Sequence, residues 1–172
     1  MLAFEWSKNV KVRNSNIILW AVLLCGCAGK LEISNLELAS NINQRCFLTT
    51  TAMDIHSFDK GFNQKYELLS PKAPWCSNDI FMESCQKVFT IPKSGEIKIT
   101  KIFDKSYGSS GHCWEIFAKS KRESDSEFSL PACWVDHNPD IWIKPKYPWQ
   151  QKKSKELLRI DTEFLEEVSC SF

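Results

Sequence analysis

Six cysteines, at positions 46, 76, 85, 113, 133 and 170, constrain this chain more than any other feature. An even set of this size in a body of under 150 residues is what an oxidising compartment favours, and there it reads as a framework of disulfides. Six cysteines allow 15 connectivities. The pairing we expect is Cys76–Cys85, a short local loop, Cys113–Cys133, and Cys46–Cys170, which ties the start of the domain to its end. Zinc is the competing use of such residues. Its sites favour cysteines two to four residues apart, and no such pair follows position 27. A Cys-x-x-Cys redox motif is also missing. We therefore expect no metal and no cofactor.

The reason to place the chain in an oxidising compartment lies at its start. Lys8, Lys11 and Arg13 precede an apolar run over 17–28, which is 12 residues long. A membrane-spanning helix needs about 20 residues. A basic segment, a short apolar run and then small residues is the layout of a secretory signal. The run ends in Leu24-Cys25-Gly26-Cys27, which resembles the lipobox of bacterial lipoprotein precursors. The resemblance implies that residues 1–26 are removed as a signal peptide, that Cys27 carries the lipid and begins the mature chain, and that the protein sits in the periplasm. Ala28 at the next position implies the outer membrane. Three other readings of the run stay open: a plain signal cut after Ala28, a eukaryotic secretory signal, and a buried core segment. No Asn-x-Ser/Thr sequon occurs in the chain, which favours a bacterial source over a eukaryotic one.

Beyond residue 26 the chain carries 19 basic and 20 acidic residues. It has no positive excess to neutralise phosphates, so nucleic acid is not an expected partner. Hydrophobic residues make up 43% and aromatics 12% of the chain, enough to build a packed core and to exclude disorder. The segment 27–45 reads as a tether and first strand region, and 46–172 as one β-rich domain.

The body alternates apolar and polar residues in short runs between turn residues, the pattern of strands. Cys46–Thr51 is one. Lys87–Ile91, a Pro92–Gly95 turn and Glu96–Phe103 read as a hairpin, with Pro92 presetting φ and Gly95 accepting a positive φ at the exit. Residues 104–111 read as a loop, His112–Lys119 as a strand, 119–127 as an exposed loop, and 136–140 as a turn. Leu130–Val135 is a strand candidate with Pro131 at its start, and Asp140–Lys144 is another. A short helix is expected near 77–86. Over 157–168 both periods fit. A helix there would put Lys152, Lys153 and Lys155 at its N-terminus and Glu163, Glu166 and Glu167 at its C-terminus, against the dipole at both ends. The spacing therefore favours a strand over 157–164. The fold expected from this pattern is mainly β, a disulfide-stapled antiparallel β-sandwich or small barrel with little helix.

Candidate chemistry is sparse. Gly108–Gly111 does not match the nucleophile elbow G-x-S-x-G. His112 and Cys113 are neighbours and point to opposite faces of a strand, so the imidazole does not activate the thiol. Asp54 and Asp59 flank His56 in what reads as a loop, with no third ligand at metal spacing. Glu166 and Glu167 read as exposed tail charge. No catalytic residue is assigned. The aromatics say more. Trp134, Trp142, Tyr147 and Trp149 crowd into 16 residues among Lys144, Lys146, Lys152 and Lys153. Trp134 is expected in the core, while Tyr147 and Trp149, flanked by prolines, are expected at an interface. With Tyr107 and Ser109 of the 104–111 loop they form the expected partner-binding set.

In format the chain is similar to the periplasmic immunity lipoproteins of type VI secretion, on its signal, size, β character and cysteines. That resemblance implies a non-catalytic protein that covers a toxin or enzyme, tethered to the membrane through Cys27. Periplasmic lysozyme inhibitors share the format, and their Ser-Gly-rich inhibitory loop is echoed by 107–112. An assembly or structural lipoprotein of an envelope machine, and a small secreted hydrolase, are the alternatives.

Overall fold

The computed structural model describes residues 28–60, 63–70, 85–123, 125–134 and 138–172. The expected signal peptide over 1–26, Cys27, Cys76 and His137 lie outside them, as does the helix expected near 77–86 apart from Cys85 and Gln86, which are strand. The fold is mainly β. Among the described residues eleven strands run in chain order: β1 Gly29–Glu32, β2 Cys46–Thr49, β3 Met53–Lys60, β4 Asn63–Leu69, β5 Cys85–Ile91, β6 Glu96–Ser106, β7 His112–Ser120, β8 Glu127–Ser129, β9 Ile143–Lys144, β10 Arg159–Ile160 and β11 Leu165–Val168. One α-helix among the described residues, α1, spans Pro148–Ser154. Nine strands form one sheet in the order β11-β2-β6-β7-β8-β4-β3-β5, with β1 also on β6, and β9 pairs with β10 separately. The sheet is not closed into a barrel.

The sheet is built around a corner. β2 pairs with β6 from Cys46↔Lys98 to Leu48↔Glu96, and β3 pairs with β5 from Met53↔Ile91 to Ile55↔Phe89. The two ladders share one offset, so β2–β3 and β6–β5 are two long strands that bend together without slipping register. The expected hairpin is therefore corrected. Both strands exist, but β5 and β6 do not pair with each other. The turn between them bends a strand and does not reverse it, and local turn residues are common to both outcomes.

Thr49, 2% exposed, holds the bend. Its Oγ1 donates to Pro92 O at 2.7 Å and accepts from Gly95 N at 3.2 Å. Its N–H donates to Gly95 O, and its own carbonyl accepts from Ser94 N. The positive φ expected at Gly95 falls on Ser94 instead, at 62°. Gly95 is needed for a different reason: a Cβ there would stand 2.5 Å from Ile91 Cγ2 and 2.8 Å from Pro92 O.

Because the sheet doubles back, both halves face one core. Ile97, Ile99 and Ile102 from β6 and Met53, Ile55 and Leu68 from β3 and β4 belong to the same buried cluster. Ile33, Ala39 and Ile42 belong to it too, so the chain is part of the domain from β1 onward. Cys46–Cys170 and Cys113–Cys133 are bonded as expected. Cys85 is also disulfide-bonded.

Several expectations need correction. Asp54, His56 and Asp59 lie on β3, a strand and not a loop. Leu130–Trp134, the described part of the strand expected over Leu130–Val135, is not a strand: β8 lies upstream at Glu127–Ser129. It carries the sheet's parallel contact, Glu67↔Ser129 with β4, in a sheet expected to be antiparallel. Asp140–Lys144 contributes only the two residues of β9. The loop over 104–111 begins later than expected, since β6 continues to Ser106. The expected strand over 157–164 is broken: β10 stops at Ile160, a turn follows, and β11 resumes at Leu165. The helix lies upstream, with Pro148 at its first turn and Lys152 and Lys153 in its last turn. The lysines that oppose a helix over 157–168 thus suit the dipole of the helix that forms.

Gly95→Ala should lower stability by about 1–3 kcal/mol, through the clash with Ile91 and the Pro92 carbonyl. Thr49→Val, which keeps the shape and removes the hydroxyl, should cost about 1 kcal/mol through the loss of its two hydrogen bonds to the turn. Urea unfolding of both variants checks this. Unchanged midpoints would show that the corner is not under this control.

Candidate functional site

Two of the aromatics singled out by the sequence, Trp134 and Tyr147, line one cavity; Trp142, Trp149, Tyr107 and Ser109 do not line it. It encloses about 640 Å³ and is lined by Trp134, Ile141, Tyr147 and Phe164, with Lys144, Lys146, Asp140, Asp161 and Glu163 among the polar groups. Its walls come from three loops, each pinned by a specific bond.

Trp134 follows Cys133, whose bridge to Cys113 fastens it to β7. Trp134 is 50% exposed, contrary to the core position expected for it. That expectation rested on strand alternation across 130–135, and among the described residues 130–134 no strand forms. Asn138 is buried and holds the next stretch. Its side chain accepts from Ser70 N at 2.7 Å and donates to Leu68 O at 3.1 Å, so it extends the edge of β4 as a backbone amide would. On the far side Trp142, 1% exposed, stacks on Phe164 with ring centroids 4.6 Å apart. Asp161 N donates to Trp142 O at 2.7 Å.

Tyr147 and Trp149 stack face to face at 4.2 Å. Trp149 is 45% exposed and Tyr147 is half-buried. Pro148 between them is buried at the start of α1, and the Trp114 indole N–H donates to Pro145 O at 2.9 Å. The pair is therefore presented on a fixed support. Lys144 Nζ meets Asp161 Oδ2 at 2.5 Å, and the Lys144 hydrogen bond holds the Asp161 carboxyl below its ordinary range.

The loop after β6 forms a 3-10 turn at Gly108–Ser110, with Gly111 at φ 103°. Ser109 is exposed and Tyr107 half-buried, with Lys105 Nζ 5.1 Å from its ring centre. Beside the loop, His112 Nδ1 lies 2.9 Å from Asp104 Oδ1. Sequence spacing alone did not bring these two together; the cross-strand register of β6 and β7 does. The imidazole is oriented, but among the described residues no hydrogen bond joins it to a serine or cysteine. Cys113 is in a disulfide, which removes it as a thiolate. His56 Nδ1 is buried with no hydrogen-bond partner among the described residues. Burial lowers the His56 pKa, against the pull of Asp54. No group of three or more metal-ligating side chains occurs among the described residues. No described helix is long and apolar enough to cross a membrane.

The outer face of β1, β6 and β7 carries a charged cluster absent from the expected set. Glu115 meets Lys30 at 2.5 Å and Lys105 at 3.1 Å. Lys30 Nζ also sits 3.9 Å from the centre of the Phe103 ring, which packs edge-on to Phe117. Burial alone would raise the Glu115 pKa; the bonds and charges of the two lysines overcome it and the net shift is downward. This cluster fastens β1 to the sheet.

No protein-family model matches the chain, and no characterised protein or solved structure shows significant similarity to it.

Because the folded pKa of Glu115 is depressed, its contribution is present above the ordinary glutamate range and is lost as pH falls through the folded value. Glu115→Gln should destabilise the protein by about 1–3 kcal/mol near neutrality, since it leaves two partly buried lysines without their carboxylate. The difference between wild type and variant should shrink as pH falls below the ordinary glutamate range. A difference that stays constant down to pH 2 would remove Glu115 from acid sensitivity.

Proposed function

We propose that this chain is a periplasmic lipoprotein that works as a non-catalytic protein-binding module, of the immunity or inhibitor kind, by covering a toxin or enzyme. The observation that carries the reading is the exposure of two tryptophans, Trp134 at 50% and Trp149 at 45%, beside a cavity whose walls are fixed by a disulfide and by buried hydrogen bonds. Large aromatics held in place before binding lose little entropy on docking and are the commonest anchors of protein interfaces. The cavity mixes lysines with carboxylates, which gives a partner's polar groups both donors and acceptors at the rim.

A lipid on Cys27 leaves Ala28 alone between the anchor and β1. Gly29 pairs with Ser106, so the loop carrying Tyr107 and Ser109 stands at the tethered end of the sheet. In this reading that loop and the membrane are neighbours, and Tyr147, Trp149 and Trp134 carry most of the partner contact.

Two experiments test the two halves separately. Cys27→Ser should abolish labelling by a fatty-acid analogue while Cys25→Ser leaves it intact; equal labelling of Cys27→Ser and wild type rejects the lipoprotein assignment. For binding, Trp149→Ala and Trp134→Ala should each weaken affinity for the captured partner by about 30- to 1,000-fold, the usual range for a desolvated anchor. His56→Ala, His112→Ala and His137→Ala should leave it standing. Calorimetry gives the affinities and circular dichroism the state of folding. If one histidine variant abolishes function in a folded protein while both tryptophan variants bind normally, the binding-module reading fails and a hydrolase takes its place.

A further inference from the structure

A second cavity, of about 430 Å³, lies on the other side of the turn that follows β10, and its chemistry differs from that of the first. Two arginines line it, Arg45 just before β2 and Arg159 on β10. The chain has 18 lysines and only four arginines, and one of those four, Arg13, lies in the expected signal segment. Two of the remaining three therefore meet at one place. Lysine would serve equally well for general surface charge. Arginine differs in its planar fork of donors, which matches a carboxylate or phosphate with two parallel hydrogen bonds.

Neither arginine is saturated by its neighbours. Arg45 reaches Glu167 only at 3.9 Å, with both side chains more than half exposed. Arg159 has no ion-pair partner among the described residues, and its register neighbour across the β9–β10 ladder is Lys144. Beneath them the floor is apolar: Phe47 is 3%, Ile160 8% and Leu165 1% exposed. Asn41 and Thr162 add neutral polar groups at the rim.

The walls are fixed. Arg45 N–H donates to Ile42 O and its carbonyl accepts from Ile99 N. The adjacent Cys46 is bonded to Cys170. Across the groove the 161–164 turn is held by Thr50, whose Oγ1 lies 2.8 Å from Glu163 O and 3.0 Å from Phe164 O. Two arginines carried on fixed backbone over an apolar floor suit a ligand with an anionic head on an apolar body. Two arginines and one glutamate leave a net charge of +1, which one negative charge neutralises and two exceed.

We propose that this groove binds a monocarboxylate carried on an apolar group, with Arg45 and Arg159 holding the carboxylate and the Phe47–Ile160–Leu165 floor taking the body. The site is independent of the aromatic surface and of the reading given to it.

The test is a titration of the full chain in detergent, followed by nuclear magnetic resonance at the Thr162 amide and the Arg159 Nε–H. The probes are 4-phenylbutyrate, phenyl phosphate and 4-phenylbutanol. The first should bind saturably, at least tenfold more tightly than the alcohol and more tightly than the phosphate. Arg159→Gln should weaken it at least tenfold. Arg45→Lys, which keeps the charge and loses the fork, should weaken it several-fold. Both variants should retain wild-type dichroism, since both side chains are exposed. Glu167→Gln should narrow the gap between phenyl phosphate and phenylbutyrate by raising the local charge. Absence of saturable shifts with any probe, equal binding of the alcohol, or unchanged affinity in Arg159→Gln overturns the site. A preference for phenyl phosphate in the wild-type chain overturns the monocarboxylate assignment.

Discussion

The bend at Thr49 and Gly95 is the constraint on which the rest of the molecule depends. Side chains of a strand alternate between faces, so a slip of one residue at the corner would turn the buried set of one half outward while the other half stayed correct. The ladder from Cys46↔Lys98 to Ile55↔Phe89 keeps a single offset through the bend, and that lets Phe47 and Ile97 face the same interior as Met53 and Ile91. A threonine hydroxyl that both donates and accepts adds a second bond to each of the two backbone groups, Gly95 N and Pro92 O, that already close the turn on each other. A glycine admits the approach of Ile91. The irregularity between Ile55 and His56, beyond the corner, comes where the ladder no longer has to serve both halves.

The other fastenings act at the ends of this bent ladder. Cys46–Cys170 closes the chain over a separation of 124 residues, and restricting so long a loop in the unfolded chain is worth about 3–5 kcal/mol in the entropic account. Ser171 bonds to Glu96 through both its backbone N–H and its hydroxyl, so the last residues are laid against the start of β6. At the other end of β6 the Glu115 carboxylate and its two lysines hold β1. The longest strand is thus gripped at both ends by partners far away in sequence.

The β class, the use of cysteines in disulfides and the strands at β2, β5, β6 and β7 were legible because each rests on local alternation or on cysteine parity. What was not legible is non-local. Pro92-Lys-Ser-Gly95 reads the same whether the chain reverses or bends, and only the partner β3 decides. β3 itself was read as loop because Asp54, His56 and Asp59 interrupt it. The Asp54 carboxylate is in fact bonded to Thr90 and Lys87 of the neighbouring strand, so its polarity marks a sheet contact and not a turn. Trp134 was placed in the core on an alternation that the described residues 130–134 do not carry as a strand. The Asp104–His112 and Lys30–Glu115–Lys105 contacts needed the β6–β7 and β1–β6 registers, which no single segment encodes.

The two cavities share one wall. Asp161, Glu163 and Phe164 face the aromatic cavity, while Thr162 and Leu165 face the arginine groove. A ligand on either side therefore presses on the same short turn, and the question is how far that turn can move. Its start is bonded to Trp142 O, its interior is closed by Phe164 N to Asp161 O, and Thr50 spans two of its carbonyls. Phe164 is further held by its stack on a fully buried tryptophan. Moving the turn means breaking several of these at once, at about 1 kcal/mol each for the hydrogen bonds alone. A small ligand that gains only a few kcal/mol on binding has little to spend on such a displacement. The turn thus acts as a partition: it lets two surfaces of different chemistry stand back to back on a small domain, each preorganised by the same bonds and neither dependent on what the other holds.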